Sequence, residues 1–186
     1  MIDQERIKEA IASILVAIGE DPDREGLADT PGRVARMYAE FFSGLSEDPS
    51  EVLSTGFEEA HQETVILRDI PFFSICEHHL LPFVGSAHVG YIPGGRVVGA
   101  SKLARALDAL AKRPQLQERL TNQLVDVIYK AVRPEGVAVV LTAEHMCMSL
   151  RGAKKTGSKI VTSASRGSLK TKAAVRREFF DLLKGT

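Results

Sequence analysis

The sequence predicts an α+β fold, for two reasons. Segments with helical apolar spacing and short β-branched segments occur in blocks: helices, strands, two helices, two strands and a final helix. This order differs from the strict strand–helix alternation that is typical of a parallel sheet. The chain has 186 residues, of which 44% are apolar and 26% are charged. This size and composition are typical of one globular folding unit.

Helices are predicted in residues 1–60. Apolar side chains recur with a helical period over Ile7–Ile18, and Asp3 can cap the first turn. Thr30-Pro31 combines a capping residue with proline at the first helical position, which predicts the start of a second helix. Pro49-Ser50 predicts a short third helix. This part of the chain is interpreted as an N-terminal helical segment.

The main domain is predicted in residues 61–186, where the strands begin. Thr64–Ile70 is rich in β-branched residues and predicts the first strand. Phe83–Ile92 and Arg96–Gly99 are two further strand candidates, and the turn Pro93-Gly94-Gly95 joins them. This pattern predicts an antiparallel hairpin.

Two helices, two strands and a closing helix follow in the second half. Ser101 can cap a helix, and Pro114 separates it from a longer one. Gly136–Glu144 is strongly apolar and Ile160–Ser165 is similar, so both are predicted strands. Ala173–Leu183 has apolar residues at helical spacing and predicts the last helix.

Composition argues against several classes of partner. Lys and Arg number 24, as do Asp and Glu. This balance argues against a surface adapted to nucleic acid or to an anionic membrane. Apolar stretches are shorter than a membrane span, and the first residues lack the layout of a signal peptide. A cytoplasmic protein that binds neither nucleic acid nor membrane is expected.

The segment Cys76-Glu77-His78-His79 concentrates reactive side chains between Pro71 and Pro82. The prolines predict a constrained loop after a strand. On a tight turn Cys76 and His79 can converge on one ion, and thiolate with imidazole is a ligand set that zinc favours. A buried thiol beside surface histidines explains the same residues equally well.

A second such segment contains His145 and Cys147 at the end of an apolar strand. On a strand, these two side chains would project to the same side. If Cys147 joins Cys76 and His79, the metal has three protein ligands and one open position, which is typical of catalytic zinc. His78 and His145 would then be free for proton transfer, although each taken alone could be a structural histidine.

Cationic and polar residues near two predicted helix starts, together with an arginine just after the second cysteine segment, form a candidate anion site. Helix N-termini bind phosphate oxygens through free amides, and arginine adds bidentate hydrogen bonds. Each of these residues alone is more often a solvated surface residue. The candidates are Arg33, Arg36, Ser101, Lys102, Arg105 and Arg151.

Seven strings, in order, resemble the GTP cyclohydrolase I family between about Asp29 and Phe180. They are DTPGRVARMY, FFSICEHHLLPFVG, HVGYIP, GASKLARAL, QLQERLT, HMCMSLRG and TSASRGSL. The resemblance implies a zinc site at Cys76, His79 and Cys147, with His78 and His145 as proton-transfer residues. It also implies a T-fold with a four-stranded antiparallel sheet and two long helices. The family's usual assembly is a homodecamer with active sites at subunit interfaces.

The resemblance further implies GTP as the substrate. GTP and water would give formate and 7,8-dihydroneopterin triphosphate, the first step of folate and pterin biosynthesis. Glu118 would hold the guanine edge, because one carboxylate can accept from the ring N–H and the amino group together. Gln117 is expected to contact the substrate as well. The six candidate anion-site residues would contact the triphosphate.

Two alternatives are consistent with the same residues. A non-catalytic zinc and nucleotide-binding protein would need a fourth protein ligand, which His145 would have to supply. A relative with the same fold could act on another purine or pterin. Glu118 together with the candidate anion-site residues favours GTP.

Overall fold

The computed structural model describes residues 2–184. Its helices are α1 (Gln4–Ala17), α2 (Thr30–Phe41), α3 (Pro49–Val52), α4 (Ala100–Ala111), α5 (Gln117–Val132), α6 (Met146–Ser149), α7 (Ser168–Thr171) and α8 (Ala173–Lys184), with a short 3-10 helix at Ser43–Ser46. Its strands are β1 (Gly56–Glu58), β2 (Val65–Cys76), β3 (Pro82–Ile92), β4 (Arg96–Val98), β5 (Pro114–Gln115), β6 (Gly136–His145) and β7 (Lys159–Gly167). The predicted α+β class is confirmed.

The main sheet has the strand order β5-β2-β3-β6-β7. The four long strands pair antiparallel, and the two-residue strand β5 adds a short parallel pairing next to Cys76. The sheet therefore has five strands, where the resemblance implied four. One end of the sheet holds Cys76 and His145, since Ile75 pairs with Pro82 and Phe83 pairs with His145.

Alternating residues of β6 face two different cores. Val137, Val139 and Leu141 are fully buried on the face that α4 and α5 cover. Ala138 and Val140 face the other side, where they pack with Phe179 of α8. Side chains on a strand alternate between its faces, so an apolar run of this kind is buried on both sides. Burial of each large aliphatic side chain stabilises the fold by roughly 1.5–3 kcal/mol.

The predicted hairpin of β3 and β4 is wrong. β4 pairs antiparallel with β1, a strand that the sequence pattern did not reveal. β4 cannot pair with β3, because β2 and β6 already occupy the two edges of β3 along almost its whole length. A buried side-chain contact joins β4 to β3 instead: Val98 N donates to the hydroxyl of Tyr91 at 3.1 Å.

The first predicted strand continues through Pro71 to Cys76, so the expected proline-bounded loop does not begin until after Cys76. An irregularity in the pairing at Arg68 and Asp69 separates its two halves. Asp69 has φ 55, and its N–H donates to Nδ1 of His88 at 3.1 Å. Proline is tolerated here because this part of β2 lies at the edge of the sheet.

The predicted helices are confirmed, with starts shifted by one or two residues. Asp3 accepts a hydrogen bond from Arg6 N at 3.0 Å and caps α1 as expected. Asp29, rather than Thr30, precedes α2, and Gly99, rather than Ser101, precedes α4. Within residues 2–184, no helix has the length and apolar character needed to cross a membrane. The predicted division of the chain at residue 60 stays a prediction.

Candidate metal centre and active site

The three predicted metal ligands come together at one end of the sheet. The ligand atoms of Cys76, His79 and Cys147 all lie within 4.8 Å of one another. Tetrahedral zinc separates such atoms by about 3.5–3.8 Å at its usual bond lengths, which small side-chain rotations can reach. Two sulfurs and an imidazole nitrogen are donors that zinc prefers. The residues present therefore fit a zinc ion.

A tight turn after β2 brings Cys76 and His79 to the same side. Leu80 N donates to the carbonyl of Cys76, and Cys76 N donates to the carbonyl of Leu81, both at 2.9 Å. Leu80 has φ 51, the left-handed conformation that closes the turn. Cys76 is buried and His79 is exposed. The convergence expected of positions i and i+3 is confirmed.

The local geometry predicted for Cys147 is wrong, although its place in the group is confirmed. β6 ends at His145, and Cys147 lies in the single helical turn α6. His145 and Cys147 therefore do not share a strand face. His145 instead points to the covered face of the sheet, where its ring stacks on Phe83 with centroids 4.5 Å apart and planes 2° apart.

Burial raises the pKa of the Cys147 thiol, and the nearby Cys76 raises it further. Both effects disfavour a pair of adjacent thiolates in a partly apolar site. A divalent cation reverses this preference, because it binds the thiolate form and releases the protons. Burial therefore argues against Cys147 as a free nucleophile.

His145 is 8% exposed and Gln117 is 1% exposed, and their side chains contact each other. The distance from His145 Nε2 to Gln117 Oε1 is 2.8 Å. Burial lowers the pKa of His145, while the charge of Glu118 opposes this shift. Glu118 itself is exposed in the first turn of α5. Burial and a nearby carboxylate act in opposite directions, as at many proton-transfer sites.

The loop after α6 approaches the metal ligands. Arg151 Nη1 lies 3.0 Å from His79 Nε2. A guanidinium group can only donate, so this imidazole nitrogen accepts. The contact brings one predicted anion-site residue directly to the metal group.

His78 and His79 diverge as predicted, with ring centroids 6.3 Å apart and planes at 87°. His78 is exposed. The acid between Cys76 and His78, Glu77, has no role predicted from the sequence. Glu77 forms a bidentate ion pair with Arg119 of α5, in which Nη2 and Oε1 are 3.1 Å apart. The pair joins the metal loop to the helix that carries Glu118, and no sequence pattern indicates it.

Comparison with known proteins identifies the family. The family model described as GTP cyclohydrolase I matches residues 7–184. The chain belongs to the GTP cyclohydrolase I family. Curated GTP cyclohydrolase 1 proteins from Pelotomaculum thermopropionicum and Dehalococcoides mccartyi are 61% and 58% identical over 186 residues. The first alignment covers 100% of this chain and 99% of the relative, and the second covers 99% and 98%. Family membership identifies the chain as an enzyme.

A solved structure gives a more distant likeness. The apo form of an archaeosine synthase QueF-Like protein superposes with a TM-score of 0.43 and 19% identity. The superposition covers 59% of this chain and 96% of that one. A likeness this low carries no argument about the fold.

Within one chain, three of the residues that the GTP cyclohydrolase I resemblance assigns to the triphosphate lie far from the metal ligands. Ser101, Lys102 and Arg105 lie in the first two turns of α4, just after β4. β4 contacts Tyr91, whereas the metal end of β3 is at Phe83. Between positions 83 and 91 a strand extends about 26 Å, at ~3.3 Å per residue. The predicted site is therefore divided between two ends of the sheet.

Arg33 and Arg36 are also outside the metal group. Both are exposed on α2, and Arg33 pairs with Asp29 at 3.3 Å. The C-terminal end of α2 approaches the sheet through Phe41, whose ring centroid is 5.3 Å from that of Phe73. Their expected contact with the triphosphate stays a prediction.

Proposed function

We propose that this chain is a zinc-dependent GTP cyclohydrolase I that converts GTP and water to formate and 7,8-dihydroneopterin triphosphate. The observation that carries the proposal is the convergence of Cys76, His79 and Cys147 within 4.8 Å at the same sheet end as the buried His145. Membership of the GTP cyclohydrolase I family supports the substrate and the reaction.

Cys76, His79 and Cys147 would hold the zinc ion. Zinc supplies Lewis acidity and makes water a stronger nucleophile near neutral pH. Three protein ligands leave one coordination position for water or substrate. A purely structural site would need a fourth protein ligand. His145 is not part of the convergent ligand group, which consists of Cys76, His79 and Cys147.

His145 would transfer a proton to nitrogen 7 of guanine while water attacks carbon 8. The five-membered ring of guanine then opens. A second hydration releases formate, after which the ribose rearranges and the ring closes again. The low exposure of His145 supports this role, since a shielded imidazole exchanges its proton with substrate rather than with bulk water. His78, exposed in the metal loop, would shuttle protons in the later steps.

Glu118 would bind the guanine edge and thereby set the specificity. It is exposed, and its charge acts on His145, so a purine held by its carboxylate would lie near that imidazole. Guanine offers a ring N–H and an amino group side by side, which one carboxylate can accept together. Arg151, beside His79, would contact the triphosphate.

The active site would form between chains, with Arg33, Arg36, Ser101, Lys102 and Arg105 supplied by another subunit. The separation of the two residue groups along β3 supports this arrangement. In the described residues, β7 pairs only with β6. Apart from Ile75 and Cys76, which also pair with β5, β2 pairs only with β3 among these residues. Two open edges allow sheets of neighbouring chains to join. A homodecamer of T-fold subunits is the proposed assembly.

An assay for formate and for the fluorescent pterin formed after oxidation of the product tests the proposal. Zinc-loaded protein should turn over GTP, and a chelator should abolish the activity until zinc is restored. ATP and dihydroneopterin serve as comparison substrates and should not react. Zinc-loaded protein that releases no formate from GTP would contradict the proposal.

A further inference from the structure

The side chain of Gln117 makes its hydrogen bonds to other residues of the protein, and it does not point into an open site as a substrate contact would. Its side chain is fully buried behind His145, whereas Glu118, the next residue, is exposed. Successive side chains on a helix point about 100° apart, so the two cannot face one ligand in the same way. The buried amide calls for a separate explanation.

The orientation of the Gln117 amide is fixed by its surroundings. One end lies 3.1 Å from the carbonyl of Leu141, 3.0 Å from the carbonyl of Ile160 and 3.1 Å from Oγ1 of Thr162. Backbone carbonyls can only accept, so this end must be the NH2 group. The opposite end, which faces His145 at 2.8 Å, is therefore the oxygen.

An amide oxygen can only accept, so His145 must donate to it from Nε2. The proton of the neutral imidazole is therefore on Nε2, and Nδ1 carries the lone pair. Among residues 2–184, no hydrogen bond occupies Nδ1 of His145. Stacking on Phe83 prevents the ring from turning freely, because the two planes are only 2° apart. Nδ1 is thus the nitrogen left free for a ligand.

We infer that Gln117 is a positioning residue that keeps the Nε2–H of His145 on its amide oxygen and presents Nδ1 to the substrate. Nδ1 is then the atom that gives up a proton from the imidazolium and carries the lone pair once the ring is neutral. The inference rests on the proposed function for its effect on turnover, but the tautomer itself is a property of the protein alone. Gln117 acts through His145 and does not touch the substrate. Leu141 and Ile160 lie on β6 and β7, so the pairing of these two strands sets the direction of the amide.

Nitrogen NMR of zinc-loaded, GTP-free protein labelled with [15N]histidine tests the tautomer directly. The chain has five histidines, and the His145→Ala spectrum assigns the signal. We expect His145 to carry its proton on Nε2 in the wild type. In Gln117→Met the acceptor is lost, and the signal should shift to a mixture of tautomers. A wild-type His145 protonated on Nδ1 would overturn the inference without any variant.

Turnover of the same variants tests the consequence. Gln117→Met should lower kcat by roughly 10- to 100-fold while zinc content and the KM for GTP stay near wild type. Gln115→Met is the matched control. Gln115 is 2% exposed, and its amide donates to Leu110 O at 2.9 Å and to Gln123 Oε1 at 2.8 Å. Its replacement removes a buried amide too, but should keep the His145 tautomer and kcat.

The outcomes separate this inference from the proposed function. If the wild-type protein does not turn over GTP but His145 carries its proton on Nε2, the proposed function is contradicted and the inferred tautomer is confirmed. An active Gln117→Met protein with wild-type kcat would overturn the positioning role. A rise in KM without a fall in kcat would indicate a direct substrate contact and would overturn it as well.

Discussion

At the scale of single residues, the site depends on how differently neighbouring side chains are buried. His145 is buried and stacked, whereas His78 is exposed in the metal loop. Gln117 and Glu118 differ in the same way. These different environments, rather than residue type, support the different roles proposed for His145 as proton carrier and Glu118 as substrate contact.

Replacement of His145 by alanine should abolish turnover and leave the metal site in place. His145 is outside the Cys76, His79 and Cys147 group, so bound zinc should stay near wild type. Loss of a positioned proton carrier lowers kcat by roughly 10²- to 10⁴-fold. Zinc analysis and the formate assay measure the two effects separately. His88→Ala is the control, since His88 contacts Asp69 in β2, away from the metal group. Loss of zinc in His145→Ala would instead make His145 a ligand.

Replacement of Glu118 by glutamine should weaken GTP recognition. The glutamine amide has only one oxygen to accept from guanine. Its NH2 group faces a second donor of the guanine edge, and neither of these two donors finds an acceptor. We expect kcat/KM for GTP to fall by at least about 100-fold. Glu178→Gln, exposed on α8 and outside both parts of the proposed site, should keep wild-type kinetics. An unchanged kcat/KM in Glu118→Gln would remove Glu118 from the binding site.

At the scale of elements, the ends of strands carry the site and the loops after them are held by specific contacts. β2 and β6 end at Cys76 and His145. Glu77 and Arg119 join the loop after β2 to α5. Glu144, the residue before His145, accepts from Ser149 Oγ at 2.6 Å and from Gly157 N at 2.9 Å, which holds the loop after β6.

The contacts of Glu144 predict a pH dependence of stability. The hydrogen bond from Ser149, followed by that from Gly157, lowers the pKa of Glu144 below its usual value of 4.5. A lowered pKa stabilises the fold above the usual value, and this contribution is lost as the pH falls through the lowered pKa. Glu144→Gln keeps an acceptor but no charge. Its denaturation midpoint should be below wild type at pH 7, and the difference should shrink below pH 4.5.

An exposed glutamate serves as the control for this comparison. Glu40→Gln on α2 should follow the wild-type pH profile. If the gap between Glu144→Gln and wild type is the same at acidic and neutral pH, the ionised form of Glu144 does not hold the loop.

At the scale of the whole molecule, a single chain brings together only part of the predicted site. The candidate metal ligands, His145 and Arg151 lie at one end of the sheet, while Ser101 and Arg105 lie at the other end. In the part of the chain that the structure describes, β7 pairs only with β6, and β5 covers only the last two residues of β2, so most of both sheet edges is unpaired. An assembly that joins chains edge to edge would unite the two groups.

Mixed oligomers test whether two chains build each site. His145→Ala and Arg105→Ala proteins should each be inactive alone. Assembled together in equal amounts, about a quarter of the sites should combine an intact His145 with an intact Arg105 from a neighbour. The formate assay should then show activity near that fraction of wild type. Mixtures that stay inactive, with mixed assembly shown by mass spectrometry, would place both residues in one chain.

The sequence by itself determined the α+β class, the positions of the main helices to within one or two residues, and the three residues that converge at the candidate metal centre. Helical periodicity, capping residues and the unusual pairing of each cysteine with histidine are local signals, so they can be read without a structure. Only the tertiary structure decided that β4 pairs with β1, that Cys147 lies on a helical turn and that Gln117 is buried behind His145. Those features depend on which strand edges are already occupied and on which residues distant in sequence meet, and neither is encoded in local spacing.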